Sequence, residues 1–291
     1  MKPDKKSIFI LIFCYAFWGF QPLYWALNDT LDSYTLLACR IIMAAVFSVL
    51  ILAVTGRLDE LGALFRDKRM LRFEIFAAIF LLLDWGVFIV AVNSGHVLDC
   101  SIGYYVNPML LFAIGIVVYK ERCTKAQIAA LGIAVIGVIV STVTFGSFPL
   151  LSVVIAINWA VYAAVKKNVR ADGVVSIAAE TIIMSPVAII FLLLFRRDVI
   201  GALHGLEILF VIGSGIVTAL PMFLYSYSVF RFSLIIMCFA QYLSPTFNVI
   251  CGVIMGESFT PSQIVSLIFF IAAIILFTAS QIRQARKHNL T

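Results

Sequence analysis

The chain has 291 residues, of which 63% are hydrophobic and 12% charged, with a mean hydropathy of +1.08. A soluble domain is nearer half apolar and a quarter charged. Composition therefore excludes a soluble enzyme, a nucleic-acid binder and a disordered chain, and points to a polytopic membrane protein with no room for a large soluble domain. The net charge of +6 then concerns where Lys and Arg sit relative to a bilayer, and not binding to nucleic acid.

Apolar runs predict ten spans, at about 7–27, 34–55, 72–92, 98–119, 126–143, 149–167, 175–195, 206–229, 233–255 and 262–282. The first has the basic flank of a signal peptide. It is long, ends in Tyr24-Trp25 and lacks a small-x-small cleavage site, so it reads as a span. Most loop charge falls between Gly56 and Leu71, and the eighth and ninth spans are separated only by Phe230-Arg231-Phe232. With alternating crossings, eighteen of the 21 Lys and Arg fall on one side and two, Arg196 and Arg197, on the other, with Arg40 inside a span. This asymmetry predicts that both termini are cytoplasmic. The six cysteines form no C-x-x-C pair. They read as small apolar residues, and neither a metal nor a cofactor is expected.

The fourth and ninth spans share a pattern of polar residues. Tyr105-Val106-Asn107-Pro108 is followed by Gly115 and then by Glu121, Thr124 and Gln127. Tyr242-Leu243-Ser244-Pro245 is followed by Gly252 and then by Glu257, Thr260 and Gln263. Trp18 and Trp159 hold similar places in the first and sixth spans. These matches divide the chain into residues 1–145 and 146–291, five spans each. Five is odd, so the second half enters the membrane from the opposite side. The expected fold is all-α, with ten transmembrane helices in two inverted five-helix repeats. Such repeats favour alternating access around a site where the halves meet.

These residues resemble the drug/metabolite transporter superfamily with EamA-type repeats, and within it the RarD permeases. The resemblance rests on Phe17-Trp18-Gly19-Phe20-Gln21-Pro22-Leu23-Tyr24, Cys39-Arg40, Asp84-Trp85, Ala91-Val92-Asn93 and Ser101-Ile102-Gly103-Tyr104-Tyr105-Val106-Asn107-Pro108. In the second half it rests on Tyr162 with Lys166-Lys167, Glu180-Thr181, Thr218 with Pro221, Gln241-Tyr242 with Pro245-Thr246, and Gly256-Glu257. It covers nearly the whole chain and implies a small-molecule permease. The chain departs from the family pattern at Trp25, usually Lys; at Thr35, often Glu; at Asp84, usually Asn; and in the last span, which lacks the family's Trp.

Ionisable groups deep in a bilayer are functional candidates. Asp84 lies twelve residues after Arg72, about 18 Å into the membrane at 1.5 Å per residue. It is either a proton-coupling carboxylate or counter-ion, or a protonated structural carboxyl. Arg40 is expected to partner Asp84, to bind an anionic group, or to snorkel outward. Glu180 is expected to titrate, or to pair near the interface with Lys166 or Lys167. Trp18, Tyr24, Trp85, Tyr104, Tyr105, Trp159, Tyr162, Gln241 and Tyr242, with Asn93 and Asn107, form the candidate substrate path, since Trp and Tyr offer flat apolar faces plus a donor. Trp25 and Tyr34 read as interfacial anchors. Pro108 and Pro245 would break or bend their helices as a gate, hinge or static kink. Ala126, Ala130 and Ala134 suggest either close helix packing or a homodimer face. His96 and His204 read as solvated.

The sequence lacks H-E-x-x-H and G-x-S-x-G, so an intramembrane enzyme has no motif. A channel would show polar rings or a carbonyl filter, and neither is evident. The expectation is a secondary transporter of a small organic metabolite or drug-like solute, with the lipid bilayer as its other partner.

Overall fold

The computed structural model describes residues 4–27, 30–93, 97–145, 150–256 and 261–288. All regular structure among them is helical: α1 (Lys5–Trp25), α2 (Ser33–Val54), α3 (Leu58–Arg66), α4 (Lys68–Asn93), α5 (Val97–Val117), α6 (Lys125–Phe145), α7 (Leu150–Lys166), α8 (Gly173–Phe195), α9 (Arg197–Ala202), α10 (Leu206–Arg231), α11 (Leu234–Gln241), α12 (Leu243–Ile254) and α13 (Pro261–His288). Five stretches are long and apolar enough to cross a membrane: Lys5–Trp25, Ser33–Val54, Gly173–Phe195, Leu206–Arg231 and Ile264–Arg283. Three shorter apolar stretches, Val106–Val117, Lys125–Val140 and Val153–Lys166, accompany them. With α3 and α9 set aside as short connecting helices, and α11 and α12 taken as one broken segment, the ten expected spans are all present.

Start signals are local. Asp4, Asp32 and Asp172 cap α1, α2 and α8 by accepting hydrogen bonds from first-turn amides. The ninth segment breaks at Tyr242, between α11 and α12. Pro245, with no N–H, cannot bond the carbonyl four residues back at Gln241. Its counterpart Pro108 stays within the continuous α5. The expected break therefore occurs in the ninth segment, while the fourth runs on as one helix.

The inverted arrangement is visible in two matched ion pairs. At one end, Arg196, just past α8, donates to Asp32 at the start of α2 (3.2 Å). At the other, Arg57, just past α2, meets Asp172 at the start of α8 (3.2 Å). The helices α2 and α8, second in each half, thus run antiparallel. In the same way Thr124, before α6, meets Ser280 near the end of α13 (3.4 Å). The neighbour relations follow suit. The segment α5 packs on α7 as α12 packs on α1, and α4 packs on α7 as α10 packs on α1. The pairs α2 with α8, α6 with α13, and α5 with α11 pack on their own mates. Most close packing lies between the halves, so what they enclose is built by both.

Close approach depends on small residues, as expected where lipid removes the hydrophobic drive between helices. A Cβ on Gly215 of α10 would lie 2.5 Å from the Met43 carbonyl oxygen of α2, and one on Gly173 would lie 2.6 Å from that of Phe223. Ala130 and Ala134 are fully buried on α6, which packs along α13. Gly137 continues this face against Phe269 and Phe270, so the alanine ladder is helix packing within the chain.

Asp32 links two helices. Partial burial pushes its carboxyl up, but hydrogen bonds from Thr35 and the Arg196 guanidinium outweigh this and hold it below its ordinary 3.8. A depressed carboxyl stabilises the fold above its unfolded value and loses that contribution as pH falls through the folded one. Asp32→Asn is therefore expected to lower the thermal midpoint in detergent at neutral pH. The gap from the parent should close below about pH 4. Gly215→Ala is expected to cost about 1–3 kcal/mol by overpacking against the Met43 backbone, read as a fall in the same midpoint.

Candidate functional site

A cavity of about 580 Å³ lies between the halves. This is within the usual range for small-molecule sites. Its wall takes Trp18, Gln21 and Trp25 from α1, Arg40 from α2, Asp84, Trp85 and Phe88 from α4, and Tyr104 from α5. The second half adds Trp159 from α7, Thr218 and Met222 from α10, Gln241 from α11, and Ser244, Pro245 and Asn248 from α12. The break at Tyr242 sits on this wall, where irregular backbone is tolerated in a membrane protein because it faces a cavity.

The polar wall is under-satisfied. Asp84 is 2% exposed, and its Oδ1 has no hydrogen-bond partner. The same holds for Arg40 Nε, Trp159 Nε1, Thr218 Oγ1 and Gln241 Oε1. Buried polar atoms normally find partners, so this wall is complementary to a polar ligand or water. Arg40 does not snorkel. Its guanidinium carbon lies 4.4 Å from the Trp85 ring centroid and 5.7 Å from that of Trp25. Trp25 is thus part of the cavity wall and stacks with Arg40, instead of acting simply as a belt anchor. Tyr34 is exposed, as an anchor would be.

The cavity floor is aromatic. Trp18 and Trp159, matched between the repeats, meet edge to face at 5.4 Å. Tyr225 lies 5.5 Å from Trp18 and 5.2 Å from Trp159, and Tyr15 and Tyr162 complete the cluster. Beneath Tyr162 lies a buried charged network. The Lys166 ammonium donates to Glu180 Oε1 and to Ser176 Oγ. The Ser176 hydroxyl donates to Glu74 Oε1, and Tyr162 donates to Glu180 Oε2 at 3.2 Å. Lys166 also lies 3.7 Å from Glu74 Oε2. Glu74 and Glu180 are 0% exposed and Lys166 is 1% exposed. The expected pairing of Glu180 with Lys166 is present, but it is deep in the protein and not interfacial.

Beside this network Lys167 donates to the Phe232 carbonyl (2.6 Å) and lies 3.6 Å from Glu121. Glu121 in turn accepts from the amides of Leu234 and Ile235 (2.8 and 3.0 Å). A carboxylate of the first half thus caps α11 of the second, where the helix dipole favours it.

The two charged zones are repeat mates by register. Arg40 lies eight residues after the capping Asp32, and Glu180 eight after the capping Asp172. Trp25 lies seven after Trp18, and Lys166 seven after Trp159. One geometry, used twice in opposite directions, gives Trp25 with Arg40 at one end and Lys166 with Glu180 at the other.

Several expected path residues stand elsewhere. Tyr24 is turned onto α10, donating to the Phe210 carbonyl and stacking on that ring at 4.8 Å. Asn107 is buried and donates to the Ala156 carbonyl (3.4 Å). Tyr242 is fully buried and stacks on Phe270 at 5.1 Å. Tyr162 and Glu180 belong to the floor and the network, not to the cavity wall. In each case neighbouring helices fill the space that a free side chain would have faced. The side chains of Asn93 and Tyr105, and residues His96 and Glu257, lie outside the described residues. His204 is exposed and lies 3.1 Å from Glu207. Sequence reading missed Glu74, Gln21, Thr218, Tyr15 and Tyr225. Glu74, two residues after Arg72, looks like an interfacial charge until the helix is placed.

The profile of the EamA-like transporter family matches residues 5–143 and 147–279. The chain belongs to this family. Among its relatives, an uncharacterized transporter, YojE, of Bacillus subtilis is 32% identical over 97% of this chain and 96% of its own. A protein RarD of Streptomyces exfoliatus is 31% identical over 94% and 88%. A protein RarD of Escherichia coli is 27% identical over 98% of each chain. A solved crystal structure superposes with a TM-score of 0.76 over 97% of this chain and 99% of that one, at 14% identity, which shows the shared fold. The chain is thus a multi-pass membrane transporter with bacterial relatives.

Because removing one partner of a buried ion pair strands the others, Lys166→Met is expected to cost about 3–5 kcal/mol. Glu74→Gln keeps the shape and should cost far less. Thermal midpoints of the two purified variants check this.

Proposed function

We propose that the protein is a secondary transporter of the bacterial cytoplasmic membrane. In this reading it moves a small organic metabolite or drug-like solute by alternating access and performs no enzymatic chemistry. The carrying observation is the cavity between opposed halves, walled by Trp18, Trp85, Tyr104 and Trp159 and bearing the unsatisfied Arg40 and Asp84. The residue ranges 1–145 and 146–291 are the two repeats that rock about it. The end that carries most Lys and Arg, and with it both termini, is cytoplasmic by the positive-inside bias. The cavity then reaches the outer end through Trp25, Ala26, Ser33 and Met255, while the aromatic floor and the Lys166 network close the cytoplasmic side.

Asp84 supplies a carboxyl that can exchange a proton as solute enters or leaves. Arg40, held flat against Trp85, supplies a fixed positive face. Trp159, Thr218 and Gln241 orient the solute by hydrogen bonds. The paired Pro108 and Pro245 mark where the fourth and ninth segments bend as the halves move. A passive channel is the rival reading, but the aromatic floor blocks a continuous path.

Purified protein in liposomes separates the readings, with solutes chosen by a ligand-panel thermal shift. Saturable flux that follows a gradient supports a transporter, non-saturable flux a channel, and turnover without flux an enzyme. Asp84→Asn is expected to fold and to lose the dependence of flux on a pH gradient. Unchanged gradient dependence would remove its coupling role. Arg40→Gln is expected to lower kcat/KM for a solute at least tenfold, about 1.4 kcal/mol of lost stabilisation.

A further inference from the structure

The Glu74–Lys166–Glu180 network has an unbalanced charge. Two carboxyls and one ammonium come from α4, α7 and α8, and none is more than 1% exposed. If both acids were ionised, one negative charge would lie in a dry interior without a counter-ion, which is strongly disfavoured. Among the described residues no neighbouring element supplies the missing cation: Arg66 of α3, Lys68, Arg69 and Arg72 of α4, and Arg170 after α7 are exposed. Helix α2, packed on α8, carries only Arg40, which lies at the other end against Trp85. Helix α10 contributes the phenol of Tyr225, and α7 adds that of Tyr162, which donates to Glu180. Lys167 is held by Glu121 and the Phe232 carbonyl. Arg57 is held by Glu60 and Asp172. Lys166 donates to Ser176 and Glu180 and lies 3.7 Å from Glu74 Oε2, so its single ammonium can balance only one of the two carboxylates. Independently, Glu74 Oε2 is buried with no hydrogen-bond partner.

We propose that Glu74, Lys166 and Glu180 form a second proton-binding site, distinct from Asp84: the closed cytoplasmic gate holds one proton shared by the two carboxyls, and opening the gate releases it to cytoplasmic water. The release rests on the alternating-access reading above. Glu74 belongs to the first half, and Lys166 and Glu180 to the second, so parting the halves at this end hydrates all three. Once wet, both acids ionise and the proton leaves. The closed state therefore binds one proton more than the open state. Acid on the cytoplasmic side favours closure and alkali favours opening, with the open fraction rising tenfold per pH unit while closure dominates.

Two readouts test the proposal. Infrared difference spectra of the purified full chain, in the Asp84→Asn background, should show a protonated-carboxyl carbonyl band at neutral pH. Glu74→Gln and Glu180→Gln should each abolish it, because either amide leaves one acid balanced by Lys166. No band in the Asp84→Asn protein, or a band that survives both substitutions, overturns the site. The second readout is labelling of Ala163→Cys, one turn before Lys166 on α7, by an impermeant maleimide from the cytoplasmic face of vesicles, with the parent chain as blank. Its rate, taken as a ratio to that of a free thiol in solution at the same pH so that thiol ionisation cancels, should rise about tenfold per pH unit, and Glu74→Gln should flatten that rise. A ratio independent of pH with Glu74 in place overturns the link between proton and gate. A band with no labelling at any pH supports the proton site and instead defeats alternating access.

Discussion

In hydrocarbon, an unpaired charge or an unpaired peptide group is costly, and this structure is organised around that constraint. Among the described residues backbone groups are satisfied within helices, and the segment broken at Tyr242 borders a cavity through Gln241 and Ser244. Charges are satisfied by bringing helices of the two halves together. Lys166 and Glu180 of the second half meet Glu74 of the first, Glu121 of the first caps α11 of the second, and Arg40 lies against Trp85. The polar contacts that hold the halves are therefore the ones that would have to part if the halves moved.

The inverted repeat applies this constraint at both ends of the molecule. The same register, eight residues from a capping aspartate, places Arg40 at one end and Glu180 at the other. At the Arg40 end the chain keeps a cavity with unsatisfied atoms, and at the Glu180 end a closed, hydrogen-bonded network. Between them Trp18 and Trp159, themselves repeat mates, form the floor. One sequence geometry thus yields an open cavity at one end and a closed, hydrogen-bonded network at the other because the two ends pack differently.

Much of the architecture was legible in the sequence. The ten spans and the inverted halves followed from apolar runs, loop charge and matched motifs, which are local or periodic signals; for Glu180 the sequence offered Lys166 or Lys167 near the interface, and packing chose Lys166 in the interior. Pro245 marked a break, though its counterpart Pro108 did not interrupt α5. The site was only partly legible. Trp18, Arg40, Asp84, Trp85, Tyr104, Trp159 and Gln241 reach the cavity, while Tyr24, Asn107 and Tyr242 are taken up by Phe210, Ala156 and Phe270. Nothing in a span's own residues says which neighbour will cover which face.

The sequence by itself determined that the chain lives in a membrane, how many times it crosses and which residues carry charge there, because burial of apolar surface and the cost of buried charge act on each residue where it stands. Only the tertiary structure decided which charges meet. Glu74 lies 92 positions from Lys166 and 106 from Glu180, and a charge's partner across such distances is fixed by how whole helices pack.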